Sequence, residues 1–222
     1  MAKKKEAKII EAEVEEIKDE TKPVKENEKS YFLPRALAYV IDIVLIIIIS
    51  SMISSFVPAN KNYDKAYKEY MELQDKVTSR TISMDEYFKK SVPVVYDMDY
   101  NNVPSMIIQV TVLVLYFVVF QAVSKGQTLG KKIMKIKIVS TDGNELTMNQ
   151  VAIRAVIINS VFINLLLIGS VMFASSDIYY YISLGLQGFE GLIIVITLIM
   201  ILFRSDGKGL HDLLAKTQVI SC

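Results

Sequence analysis

Residues Leu33–Phe56 read LPRALAYVIDIVLIIIISSMISSF and form an almost continuous apolar stretch. As a helix rising about 1.5 Å per residue, this stretch is long enough to cross the hydrocarbon core of a bilayer. Two charges interrupt it, Arg35 near its start and Asp42 inside it. Because a carboxylate near the membrane centre costs roughly 2.5–3.5 kcal/mol on insertion scales, we expect Asp42 to be compensated by a partner, a proton or a bound ion.

The composition agrees with a membrane protein. Of the 222 residues, 52% are hydrophobic, and the mean hydropathy is +0.35, which fits a membrane protein better than a soluble domain. The single cysteine, Cys222, allows no disulfide within the chain. Residues 1–29 mix Lys and Glu with few apolar side chains, so we expect a solvated cytoplasmic tail. The apolar stretch after it is too long for a signal-peptide core and is expected to remain as an anchor.

Three further apolar stretches are each close to the roughly twenty residues needed to cross a bilayer. They cover about Pro104–Val123, Val151–Ala174 and Ile182–Phe203. Lys and Arg concentrate before the first span, between the second and third, and after the fourth. Basic residues favour the cytoplasmic side, so both termini are predicted to be cytoplasmic. The predicted fold is an all-α membrane protein with four transmembrane helices, a small cytoplasmic β element and a partly helical extracytoplasmic loop.

The loop 57–103 is too long to be a simple connector. Tyr63 and Tyr67 indicate a helix with one apolar face, and Ser83 followed by Glu86 predicts the start of a second helix through a capping box. We therefore treat 57–103 as an extracytoplasmic insertion in a membrane domain that covers 30–222. It is also a candidate surface for a protein partner.

The connection between the second and third spans contains the segment Gly126–Lys131, GQTLGK. It is no P-loop, because its glycine spacing is one residue short and Lys132 stands where Ser or Thr is needed. Ile136 and Ile138 alternate with lysines and predict a strand, which could pair with the segment 217–220 near the end of the sequence. Such a pair would tie the second and fourth spans together.

Three separated motifs stand out: Arg35 with Asp42 in the first span, GQTLGKKIMKIKIVSTDGNELT after the second, and DGKGLHDLLAKTQVI after the fourth. Together they resemble the RDD family of prokaryotic membrane proteins. The family is named for one arginine and two aspartates, which correspond by motif position to Arg35, Asp42 and Asp212. The resemblance covers about 29–56 and 104–222 and implies a multi-pass protein of the prokaryotic cell membrane. The family is mostly of unknown function, with transport of ions or small ligands suggested for it and sodium–proton exchange for some members.

The charged pair in the first span has several candidate partners. Arg35 and Asp42 lie on one helix face roughly 10 Å apart, with both side chains leaning toward the cytoplasmic end. Asp42 is therefore at least as well served by a partner from another span as by Arg35. Arg154 is the obvious charged candidate, and Asn159 lies at a similar depth and could donate a hydrogen bond.

Glu190 is a second acid inside a span, between Gly188 and Gly191. The glycines would let another helix approach closely. Asp42 and Glu190 could mark two steps of a proton or cation path. The alternatives are a polar clamp that fixes helix register, with Asp212 closing onto Arg35 or Arg154, and a ligand- or protein-binding pocket.

The leading functional prediction is transport of a monovalent cation, of the sodium–proton type, or of a small solute, with Asp42 as the coupling carboxylate. Four spans make a small bundle, so a conducting path would need a homo-oligomer in the lipid bilayer. The alternative is a non-transporting accessory or scaffold protein that binds partners through 57–103 and the tail. No enzyme, cofactor, metal site or nucleic-acid partner is expected, since no nucleophile–base set is visible and His211 is the only histidine.

Overall fold

The structure is a computed structural model that describes residues 32–58 and 60–222. The predicted tail, 1–29, lies outside the described residues. The described part of the chain contains eight helices and two strands. They are α1 (Phe32–Ser54), α2 (Lys61–Thr78), α3 (Met84–Val123, with a π-helical segment Leu115–Phe120), α4 (Leu129–Ile133), β1 (Ile136–Ser140), α5 (Met148–Ile158), α6 (Val161–Phe173), α7 (Ser176–Phe203), α8 (Leu210–Leu214) and β2 (Thr217–Ser221).

Three of these helices, α1, α3 and α7, are long and apolar enough to cross a membrane. The pair α5 and α6 would make a fourth span, but the two helices are bent by 61° at the break between them. A mostly helical protein with three to four candidate spans therefore agrees with the sequence. Which side of the membrane each end faces stays a prediction.

The third predicted span, 151–174, remains a candidate span but is not one continuous helix. Thr147 caps α5 through a capping box with Gln150, and Asn159 ends that helix. Ser160 then adopts a left-handed backbone, with φ of 53°, which a helix cannot continue. The Asn164 side chain donates to the Ser160 carbonyl at 2.9 Å and so stabilises the break.

The insertion forms a helical hairpin, which we define as residues 60–103. Ser83 accepts from the Glu86 amide at 3.1 Å and begins α3, as its capping sequence predicts. This helix is not a separate element, however, because it continues through two prolines into the second span. Helix α2 packs against its first half and buries Ala66 and Leu73.

The predicted strand pair is confirmed. Strands β1 and β2 are antiparallel, in register from Ile136↔Ser221 to Ser140↔Thr217. Their apolar face buries Ile138 and Val219 against Ala38 of α1. The sheet therefore docks on the start of the first span, and we call this the sheet end of the molecule.

Candidate functional site

The Asp42 side chain is 1% exposed and accepts three hydrogen bonds at the sheet end. Its Oδ1 accepts from the Tyr116 hydroxyl at 2.6 Å and from the Gly130 amide at 2.7 Å. Its Oδ2 accepts from the Thr128 hydroxyl at 2.5 Å. These donors offset the cost of burying the carboxylate. The predicted partners Arg154, Asn159 and Arg35 do not bind Asp42, because Asp42 faces α4 and the π-helical segment of α3.

The GQTLGK segment is the reason that α4 can reach Asp42. Thr128 caps α4 and accepts from the Lys131 amide while its own hydroxyl donates to Asp42. A Cβ at Gly130 would overlap the Ala38 carbonyl oxygen and lie 2.8 Å from Asp42 Oδ1. Only glycine lets the backbone of α4 approach α1 this closely. The segment thus leads into α4, which we call the docking helix because it packs on α1 and binds the Asp42 carboxylate.

Asp212 is completely buried and joins three parts of the chain. Arg154 Nη1 donates to its Oδ1, and Arg35 Nη1 donates to its Oδ2 at 3.3 Å. The Gly209 amide also donates to Oδ2, at 3.0 Å. Arg154 further donates to Thr217 of β2 at 2.7 Å, so a buried ion-pair cluster ties α1, α5, α8 and β2 together. The predicted closure of Asp212 onto Arg35 or Arg154 is present with both arginines.

Arg35 adds two contacts with backbone oxygens. Its Nη1 donates to the Gly207 carbonyl at 2.7 Å, and its Nη2 donates to the Val219 carbonyl at 3.2 Å. These bonds link the first span to the segment after the last span and to β2. A lysine could not reproduce them, because they use the planar fork of the guanidinium.

Charges around α8 are set by burial and by the arginines. Burial alone would raise the pKa of Asp212, but the charges of Arg154, then of His211 once it is protonated, then of Arg35 outweigh it and hold this pKa at about 2. Burial, followed by the charge of Arg154, lowers the pKa of His211 to about 3. Asp212 is therefore charged and His211 neutral at physiological pH.

A cavity of about 280 Å³ lies next to this cluster. Its walls come from the first turns of α1, the π-helical segment, α5 and the last turns of α7, and most of its lining is apolar. Three cationic residues border it, and no Asp or Glu is among its described lining residues. The polar and charged lining residues besides Tyr39 are Arg35, Gln121, Lys131, Arg154, Asn159, Thr197 and His211.

Four buried polar atoms in this lining have no hydrogen-bond partner within the described residues. Arg35 Nε and Gln121 Nε2 are donors, and Asn159 Oδ1 and a nitrogen of His211, Nδ1, complete the set. Buried polar groups are almost always paired, so an unpaired set calls for an explanation. The four residues line the cavity, but these atoms are themselves closed off from solvent, so a ligand could pair with them only after their side chains turn toward it.

Glu190 lies in α7, where Ser160 Oγ donates to its Oε1. It therefore faces the break in the third span rather than Asp42. The prediction that its flanking glycines admit another helix is not met within the described chain, since a Cβ at Gly188 or Gly191 would find no atom within 4 Å.

Sequence reasoning missed several site residues, among them Tyr116, Thr128 and Gly130. A threonine followed two residues later by glycine and then lysines could have indicated a short capped helix at Thr128. Tyr116 and Gln121 carried no such signal, because their positions depend on the π-helical segment. Of the predicted residues, Arg35, Arg154 and Asn159 line the cavity, Asp212 adjoins it through His211, and Asp42 and Glu190 are outside its lining.

Comparisons with known proteins agree with this arrangement of motifs. The model of the RDD family matches residues 30–216. An uncharacterized protein of Bacillus subtilis (strain 168), YxaI, is 27% identical over 143 residues, which cover 64% of this chain and 71% of that protein. No solved structure matches the chain. Because the family match spans most of its length, the chain belongs to the RDD family.

Proposed function

We propose that this membrane protein carries a small solute and binds it in the cavity at the sheet end. The observation that supports this proposal is the cavity's lining, which combines apolar walls with a few polar and cationic side chains. Binding sites for small molecules commonly have this composition, with a few placed polar groups among apolar ones. The cationic residues at the border favour a solute with negative charge.

Transport of a monovalent cation, of the sodium–proton type, is the second candidate. It is favoured by two carboxylates inside spans, Asp42 and Glu190. Asp42 is held by three donors, however, and a cation would have to displace at least one of them. For this candidate Glu190 is the better coupling residue, since Ser160 is its one hydrogen-bond partner among the described residues.

An accessory role without transport is the third candidate. The hairpin exposes large apolar side chains, including Tyr67, Phe88 and Tyr100, each 45–52% exposed. Such side chains are available to a protein partner. A homo-oligomer is compatible with each candidate and would be required if the conducting path lies between copies.

Flux into proteoliposomes tests these candidates. Purified protein is reconstituted into vesicles, where uptake of radiolabelled small anions is measured directly and a pH-sensitive dye inside reports proton movement when sodium or potassium is applied. The cavity is blocked with Ala36→Phe, which places a ring among lining residues. The matched control is Leu37→Phe, because Leu37 is 43% exposed on the same turn and does not line the cavity.

Flux of an anion that Ala36→Phe abolishes and Leu37→Phe preserves would support the proposal. Cation-dependent proton movement that is lost in Glu190→Gln would favour the second candidate instead. No flux of any applied ion, with folded protein in the vesicles, would contradict both and favour the accessory role.

A further inference from the structure

The cavity opens between the first and the last span. Phe32, Ala36 and Val40 line one side, and Ile194 and Leu198 line the other. Val40, Ile194 and Leu198 are 39–57% exposed. Within the described residues, α1 and α7 hardly touch each other. In a bilayer this opening would face the acyl chains rather than water.

The depth of the cavity matches one leaflet. Its lining on α1 runs from Phe32 to Val40, which is roughly 12 Å along a helix. A leaflet contributes half of the roughly 30 Å hydrocarbon core. The cavity therefore covers the region where the acyl chains of the sheet-end leaflet meet their headgroups.

The polar groups of the cavity could bind a phosphate. Lys131 Nζ lies 5.9 Å from the centre of the Phe117 ring and has no carboxylate within ion-pair distance among the described residues. Arg35 Nε and Gln121 Nε2 are buried donors without a partner. A phosphate in the cavity would pair with the Lys131 ammonium, and a rotation of the Arg35 or Gln121 side chain would bring its unpaired donor to the same phosphate.

The volume indicates that only part of the ligand is enclosed. The cavity holds about 280 Å³, which is just below the range of roughly 300–1,000 Å³ for sites that enclose whole small ligands. A phospholipid could place its phosphate and the first part of one acyl chain inside and leave the rest of both chains in the bilayer.

From these observations we propose that the cavity binds an anionic phospholipid of the leaflet at the sheet end, which enters sideways between α1 and α7. The proposal rests on the cavity being the binding site of the proposed carrier and gives that site a lipid ligand, which is distinct from the water-soluble solute that the flux assay follows. Lys131 is the residue that selects for negative charge, since Arg35 and Arg154 are already paired with Asp212.

The chain contains no tryptophan, so a single introduced tryptophan can report on the cavity. Ile194→Trp places it in the lining, and Ile196→Trp is the matched control on the same helix. Ile196 is 46% exposed and does not line the cavity, and it lies only about 3 Å along the axis from Ile194. Both variants are reconstituted as full-length protein into vesicles of phosphatidylcholine with one quarter phosphatidylglycerol.

The measurement is quenching by brominated acyl chains, carried either by the phosphatidylglycerol or by an equal amount of the phosphatidylcholine. We expect the Ile194→Trp fluorescence to be quenched more strongly by brominated phosphatidylglycerol, and the Ile196→Trp fluorescence to be quenched equally by both. Adding Lys131→Gln should reduce the preference at Ile194→Trp by about five-fold, the contribution of one cation near an anionic lipid. Lys131→Arg should retain it.

Equal quenching of Ile194→Trp by both lipids would overturn the proposal, and so would an equal preference at Ile196→Trp, which would indicate general enrichment around the protein. Size-exclusion chromatography shows whether each variant is folded. A lipid preference without solute flux would leave the lipid site standing and contradict the carrier function. Flux of a water-soluble anion without any lipid preference would support the carrier function and contradict the lipid site.

Discussion

The Gly130 amide donates to the Asp42 carboxylate at 2.7 Å across 88 residues of sequence. This bond joins the docking helix α4 to the first span, and it can form only because residue 130 has no Cβ. The relationship explains why a carboxylate is tolerated in an apolar helix. It also yields the first prediction.

Gly130→Ala should destabilise the protein by about 1–3 kcal/mol, the usual range for forcing a group into a packed site. The added Cβ would overlap the Ala38 carbonyl oxygen and push α4 away from Asp42. The measurement is the temperature at which half of the detergent-solubilised protein is lost from its size-exclusion peak. Gly185→Ala is the control, because a Cβ there meets no atom within 4 Å. Equal midpoints for the two variants would contradict the docking role.

Asp42→Asn should lower stability because it replaces one carboxylate oxygen with an NH2 group, which cannot accept a hydrogen bond. The bond from Thr128 is lost if Oδ2 is replaced, and those from Tyr116 and Gly130 are lost if Oδ1 is replaced. Losing hydrogen bonds to a charged group costs about 1.5–3 kcal/mol each. The same thermal assay measures it. Ser50→Ala is the control on the same helix, since Ser50 is buried and its hydroxyl has no partner among the described residues. A stable Asp42→Asn protein that has lost only flux would instead identify Asp42 as a transport residue.

Asp212→Asn should cost about 3–5 kcal/mol at neutral pH, because two arginines would be left buried without their shared partner. The pKa of Asp212 is held at about 2 in the folded protein, below the ordinary value of about 3.9. Its stabilising contribution is therefore present above about pH 4 and is lost as the pH falls through 2.

The stability difference between wild type and Asp212→Asn should accordingly shrink between pH 4 and pH 2. This difference is measured by unfolding both proteins at several pH values between 4 and 2 and comparing their free energies of unfolding. A difference that stays constant down to pH 2 would show that the carboxylate charge contributes little to the cluster.

Anion binding in the cavity should weaken as the pH rises from 6 to 8. Burial, and then the charge of Arg154, lower the pKa of Lys131 to about 7, so this ammonium loses its proton over that interval. The other groups facing it are Asp42, Asp212 and His211, and those on α8 do not titrate there, because their pKa values are about 2 and 3. The lipid preference of Ile194→Trp, measured at both pH values, tests this. With Lys131→Gln the preference should be small and independent of pH.

Patterns that are local in sequence predicted much of the fold. Apolar runs located the spans, alternation at Ile136 and Ile138 located β1, and the Ser83 capping sequence located the start of α3. The partners of Asp42 could not be found in this way, since Tyr116, Thr128 and Gly130 are 74 to 88 residues away. Helix periodicity could say only that Asp42 faces inward or toward lipid.

The break in the third span was missed for a different reason. Apolar composition continues across Asn159 and Ser160, so hydropathy alone gives one span. Only the left-handed backbone of Ser160 separates α5 from α6. The break borders the cavity, because Asn159 is one of its lining residues.

The pairing of β1 with β2 imposes an order on synthesis. Strand β2 follows every span in the chain, whereas β1 is made before α5 and α7. At roughly 5–20 residues per second, the ribosome finishes β2 roughly 4–16 s after β1. During that interval β1, Arg35 and Arg154 are without their partners, so the nascent protein passes through a stage with its spans complete and its sheet end open. The spans are therefore made before the sheet end can assemble, and the pairing of β2 with β1 completes the fold.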